Sequence, residues 1–168
     1  MPHTTIQPWE HARRRIGGLA YITDEHGFVL LVEPVRRPGW YRLPGGYALH
    51  DEPAHMAAMR ELREELCLTI PLTTLLAIDY TCRNPRTGDL EGYHHVFDGG
   101  MLTSEEIDQI VLRSEEVSAH RWFPLDVLGP YVEDRHLRRI LAAARARENG
   151  RGAVYLVHGK PVNANAPM

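Results

Sequence analysis

The chain has 168 residues, 43% of them hydrophobic and 24% charged, which suits one soluble domain with a full apolar core. Its formal net charge is −3, so no overall basic field points to DNA or RNA as a partner. No apolar run approaches the ~20 residues that span a membrane, the start lacks the apolar core of a signal peptide, and a cytoplasmic protein is expected. Cys67 and Cys82 are too few for a disulfide framework and lack metal-ligand spacing. Nearly all positive charge is arginine, with Lys160 the single lysine; some of these arginines are candidates for planar phosphate forks.

Taken in order, residues 1–15 are polar and read as an N-terminal arm. Two apolar runs, Ile16 to Thr23 and Phe28 to Glu33, flank a polar turn ending in Gly27 and predict a β-hairpin. A Pro- and Gly-rich loop through Trp40 and Tyr41 follows. A helix is predicted from about Pro53 to Leu66, with Asp51 or Glu52 at its start and Pro53 in its first turn. Strands are predicted at Leu75 to Arg83, Tyr93 to Leu102 and Arg121 to Phe123, the last preceded by a loop containing Ser114, Glu115 and Glu116. Asp134 to Arg147 carries Leu137, Ile140, Leu141 and Ala144 at helical spacing. The tail, residues 150–168, reads as a short hairpin turning at His158-Gly159 and a frayed end. Strands with one early and one late helix predict a mixed α/β or α+β class, with residues 1–168 as a single domain.

The early helix poses a physical problem. Ala58, Leu62 and Leu66 form its apolar stripe, and Glu61, Glu64 and Glu65 share another face at i, i+3 and i+4. Like charges at that spacing cost a few tenths of a kcal/mol each, and Glu65, beside the stripe, should be partly shielded from water. A solvated acidic face is the ordinary reading of such a helix. A hard divalent cation with oxygen ligands would remove both penalties.

The spacing around the helix decides between them. From Gly46, five residues lead to Glu52 and seven more to Arg60, followed by Glu61, Leu62, Glu64, Glu65, Cys67 and Leu68. This resembles the Nudix box, G-x5-E-x7-R-E-U-x-E-E-x-G-U with U a bulky aliphatic residue, at eight of nine specified positions. The departure is Cys67, where the box has glycine. A non-glycine residue in a left-handed cap costs about 1 kcal/mol or ends the helix differently. The resemblance implies an α/β/α sandwich, a mixed sheet between the box helix and the late helix.

It also implies an activity: Mg²⁺-dependent hydrolysis of a diphosphate linkage in a nucleoside diphosphate joined to another group X, with Mn²⁺ able to substitute. A carboxylate-held Mg²⁺ neutralises phosphate charge and lowers the pKa of the attacking water. The implied metal set is Glu61, Glu64 and Glu65, with Glu52 a further ligand or helix-start residue and Gly46 able to offer its carbonyl. Arg60 is expected to orient a box glutamate. The general base is Glu61, Glu64 or a loop acid, for which Glu116 is the choice. Arg36, Arg37 and Arg42 are candidates for phosphate contacts, and Tyr47 is expected to line the site. Trp40 and Tyr41 are candidates for stacking on a base, although core packing is the favoured reading of Trp40. His94 and His95 alternate on their strand, so one of them can face the pocket. The alternative is a non-catalytic nucleotide-binding or sensing module, but a degenerate box should have lost glutamates and this one keeps all four. A small-molecule nucleotide is the expected partner, with no stable nucleic-acid or membrane partner, and the sequence permits a homodimer.

Overall fold

The computed structural model describes residues 12–86, 88, 90–112 and 115–162. Residues 1–11 of the expected arm, residues 163–168 of the tail, and Ser114 lie outside the described residues.

Two long strands organise the molecule, β1 (Arg15–Thr23) and β2 (Val29–Pro34). They run antiparallel around the predicted turn, pairing Thr23 with Val29. Because side chains alternate across a strand, each divides its apolar residues between two cores. Leu19, Tyr21, Val29 and Leu31 enter one; Ala20, Ile22, Leu30 and Val32 enter the other. A strand buried on both faces reads as a continuous apolar run, which is the pattern of GGLAYIT and VLLV.

The remaining strands are β3 (Gly45–Tyr47), β4 (Thr74–Thr81), β5 (Gly92–Met101), β6 (Val117–Phe123), β7 (Val154–Val157) and β8 (Lys160–Pro161). The sheet order is β6-β2-β1-β5-β4-β7-β8, with β3 also paired to β1. β1 lies parallel to β5 and β4 parallel to β7; the other pairings are antiparallel. The sheet is therefore mixed, as expected.

The box helix α1 (Ala54–Leu66) covers one face and buries Ala58, Leu62 and Leu66 against Ile22 and Leu30. Its approach to β1 is close: a Cβ on Gly18 would lie 1.9 Å from the Ala54 carbonyl oxygen. The late helix α3 (Asp134–Asn149) covers the other face through Ile140 and Ala143. Together these give the α/β/α layering.

Several expectations need adjustment. The helix cap is Pro53, in extended conformation, rather than Asp51 or Glu52. Asp51 sits at φ 57° in the preceding turn, and Glu52 turns back to accept the Leu49 N–H at 2.8 Å. Cys67 adopts the left-handed conformation (φ 57°, ψ 23°) that glycine would have taken. Three short elements lie outside the sequence expectations, one of them a 3-10 turn at Leu125–Val127. β3 is only three residues long and Gly-rich, so it read as loop. The short helix α2 (Ser104–Ile107) carries a complete capping box between Thr103 and Glu106, whose signature stands in the sequence as TSEE. The tail hairpin is as expected: β7 and β8 turn through His158 (φ 52°) and Gly159 (φ 75°). No helix among the described residues is long and apolar enough to cross a membrane.

Candidate active site

Arg60, one turn before the end of the acidic run, gathers the box around its guanidinium. It grips Glu52 through Nε and Nη2 at 2.9 and 3.0 Å. Its Nη1 donates to Glu61 at 2.9 Å and to Glu64 at 3.0 Å, and Nη2 also reaches the Tyr47 carbonyl at 3.1 Å. The repulsion expected among the glutamates is thus relieved within the chain: one planar fork serves three carboxylates and ties β3 to α1. Glu52 correspondingly sits below the ordinary carboxylate range, chiefly through its hydrogen bond from Arg60.

Glu65 lies deeper than the sequence implied. Its side chain is 1% exposed, and its Oε2 accepts the Gly45 N–H at 3.0 Å. Arg42 is its only ionic partner among the described residues, at 3.5 Å. Burial raises its pKa to about 7, against the lowering effects of the Gly45 N–H and Arg42. Glu61 is mostly covered, and burial raises its pKa as well. Glycine at position 46 follows from this packing, because a Cβ there would lie 2.3 Å from Glu61 Oε1. Gly45, at φ 128°, also faces a backbone too near for a side chain, with the Gly18 oxygen 2.3 Å from a built Cβ. Glu64 differs from its neighbours, with 56% of its side chain exposed.

Gly45, Gly46, Glu61 and Glu64 line a cavity of about 1040 Å³, at the upper end of the range for small-molecule sites. Arg36, Arg37, Arg42 and Tyr47 all border it, as do Arg60, Glu61, Glu64 and Glu116. Arg37 is ion-paired to Glu133 at the start of α3. The charge of Glu116 reaches both Glu61 and Glu65. The core position expected for Trp40 belongs to its neighbour. Trp40 is 41% exposed beside the cavity, whereas Tyr41 is buried against Phe123 and Tyr131. His94 faces the cavity, while His95 stacks on Phe97 on the opposite side of the sheet. His136 and Arg139 of α3 also border the cavity; no motif marks them, because their placement depends on long-range packing.

A NUDIX domain family model matches residues 13–145. The chain belongs to the NUDIX family. No curated protein sequence matches this NUDIX chain, but 283 solved chains share its fold. Among them, a MutT protein from Methanosarcina mazei is 23% identical, covering 84% of this chain and 98% of its own, with a TM-score of 0.65. The NUDIX domain of Shewanella oneidensis NrtR, solved with ADP ribose, is 24% identical over 86% and 94% of the two chains, with a TM-score of 0.66. An ADP-ribose pyrophosphatase from Streptococcus suis is 19% identical over 86% and 99%, with a TM-score of 0.55.

NUDIX hydrolases use divalent metal ions, and the donor set here fits one in chemistry: carboxylates and a glycine carbonyl are hard oxygen ligands. Among the described residues, however, no three acidic, histidine or cysteine side chains already converge as ligands. Arg60 occupies the carboxylates of Glu61 and Glu64.

Proposed function

We propose that this NUDIX-family pyrophosphohydrolase cleaves a diphosphate linkage in a nucleoside diphosphate joined to a further group X, with Mg²⁺ or, in its place, Mn²⁺. The observation that carries the reading is that Glu61 and Glu64 line one wall of a nucleotide-sized cavity bordered by arginines, with Glu65 buried on the same helix. In this scheme Glu61, Glu64 and Glu65 hold the metal, with the Gly46 carbonyl beside Glu61. When bound, the ion supplies charge neutralisation on the diphosphate and lowers the pKa of the water that attacks phosphorus.

The protein's own groups do the rest. Glu52, with both oxygens engaged by Arg60 and the Leu49 N–H, acts as the anchor of Arg60 in preference to a ligand. Arg60 fixes the rotamers of Glu61 and Glu64 until they are needed. Glu116, whose charge acts on both Glu61 and Glu65, serves in this scheme as the base that accepts the proton of the attacking water. Arg36, Arg37 and Arg42 orient phosphates, and Tyr47 contacts the substrate.

The test is a hydrolysis screen over nucleoside triphosphates, nucleotide sugars, ADP-ribose and dinucleoside polyphosphates with Mg²⁺ or Mn²⁺. Metal-dependent cleavage of at least one diphosphate linkage is expected. Nucleotide binding without turnover of any of them would favour the non-catalytic sensing module instead.

A further inference from the structure

The tail hairpin lies beyond residue 145, where the family match ends, yet it is joined to the wall of the cavity. β7 runs parallel to β4, and the His158 N–H donates to the Tyr80 carbonyl at 2.9 Å as the chain turns. The turn then lies against the first turns of α3. The His158 carbonyl accepts Arg138 Nε and Nη2 at 3.2 and 3.0 Å, and the Gly159 N–H donates to Asp79 Oδ1 at 2.8 Å. Position 159 has no room for a side chain. At φ 75°, a Cβ there would lie 2.7 Å from the Arg135 carbonyl oxygen and 2.8 Å from Arg138 Cβ.

Asp79, on β4, completes the joint. Its Oδ2 accepts Arg139 Nε at 2.8 Å and Nη2 at 2.7 Å, and both side chains are buried. One carboxylate therefore holds α3 with one oxygen and the tail with the other. A buried ion pair gives little net stability over packed apolar side chains, because desolvation offsets its attraction. Its distinguishing property is direction: a planar guanidinium donating twice to a fixed carboxylate sets where its helix sits, whereas apolar contacts tolerate sliding.

The end of α3 held this way is the end that meets the cavity. Arg135, His136, Arg139 and Ile140 line the cavity, while Asp79, Arg138 and Gly159 do not. Other ionic contacts at this end, Glu133 with Arg37 and Arg135, are half-exposed on the arginine side and hold position weakly. The far end is tied separately, by Arg147 Nη1 to Thr23 Oγ1 at 3.0 Å.

We propose that the tail hairpin is a positioning element for substrate binding, fixing the α3 wall of the cavity through Asp79, Arg138 and Gly159. This rests on the reading that the cavity takes the nucleotide substrate. Loosening the joint lowers the fraction of molecules whose α3 wall stands in its binding position. Apparent affinity then weakens, and the box with its chemistry is left alone.

The test is steady-state kinetics of the full-length protein on its best diphosphate substrate, below the Tm of each variant. Arg138→Ala and Gly159→Ala should each raise KM about 5-fold, the scale of one lost hydrogen bond, with kcat within about 2-fold of wild type. Arg138→Lys, which keeps a donor for the His158 carbonyl, should lie closer to wild type. Arg138→Ala introduces no backbone clash, so it carries the test if Gly159→Ala fails to fold. Calorimetric titration of the same proteins in chelator with ADP-ribose, ATP and UDP-glucose reads the effect without turnover.

A lowered Tm with KM and affinity unchanged would overturn the proposal and leave the hairpin a structural appendage. A fall in kcat at constant KM would overturn it too, since the effect would then lie in the chemistry of the box. Weakened binding in the variants of a protein that cleaves no diphosphate would contradict the proposed activity and leave the positioning role standing. A wild type that neither binds nor cleaves any of these nucleotides would overturn both.

Discussion

Glu65 shows most directly how one residue's environment sets its chemistry. Its carboxyl titrates near 7 when folded, against the ordinary 4.5, because burial outweighs the Gly45 N–H and Arg42. The folded state therefore holds the proton more tightly than the unfolded chain. The stability this gives is full below about pH 4.5 and is lost as pH rises through 7. Compared with Glu65→Gln, the metal-free wild type should lose about 3 kcal/mol between those pH values; urea unfolding of both proteins in chelator across this range checks it. The sequence placed Glu65 beside an apolar stripe, but its depth depends on Gly45, in a segment that read as loop. Arg60 was legible as an orienting residue. Its simultaneous hold on Glu52, Glu61 and Glu64 was not, because each contact depends on how the chain returns through Tyr47.

At the scale of elements, the box helix is set by its two ends. Cys67 closes it in a left-handed conformation that a side chain adopts at a cost of about 1 kcal/mol. Cys67→Gly should recover that, raising Tm by about 2–4 °C for a chain of this length, with catalytic rate unchanged; calorimetry and a hydrolysis assay measure the two. At the other end, Gly18→Ala would drive a methyl group into the Ala54 carbonyl, 1.9 Å away. A loss of about 3 kcal/mol is expected in denaturant unfolding, since backbone has no rotamer to give. Both long helices and the main strands were legible from hydrophobic period and turn residues. β3 was hidden by its glycines, and α2 by its length, although its capping box was written in the sequence. That Tyr41 turns inward while Trp40 stays exposed was not readable, because adjacent aromatic residues differ only in which one the Val32–Arg42 bridge turns inward.

Across the whole molecule, the sheet carries the acids to one side of the cavity and the α3 residues to the other. The box supplies Glu61, Glu64 and Arg60 from α1, while Asp79, Arg139 and Gly159 tie the opposite wall to the tail. The first wall could be read from spacing within 23 residues. The second joins positions 60 and 80 residues apart, and only the assembled sheet brings them together. The central claim is that the box acids work with a divalent metal to cleave a diphosphate. It is tested most directly by following hydrolysis of the best nucleotide substrate by ³¹P NMR with Mg²⁺, in wild type, Glu61→Gln and Glu64→Gln. The account predicts cleavage at the diphosphate linkage in wild type, its loss on chelation, and rates at least about 100-fold lower in both variants, the scale of removing a preorganised electrostatic contact. Full activity in both variants, or undiminished activity in chelator, would contradict it.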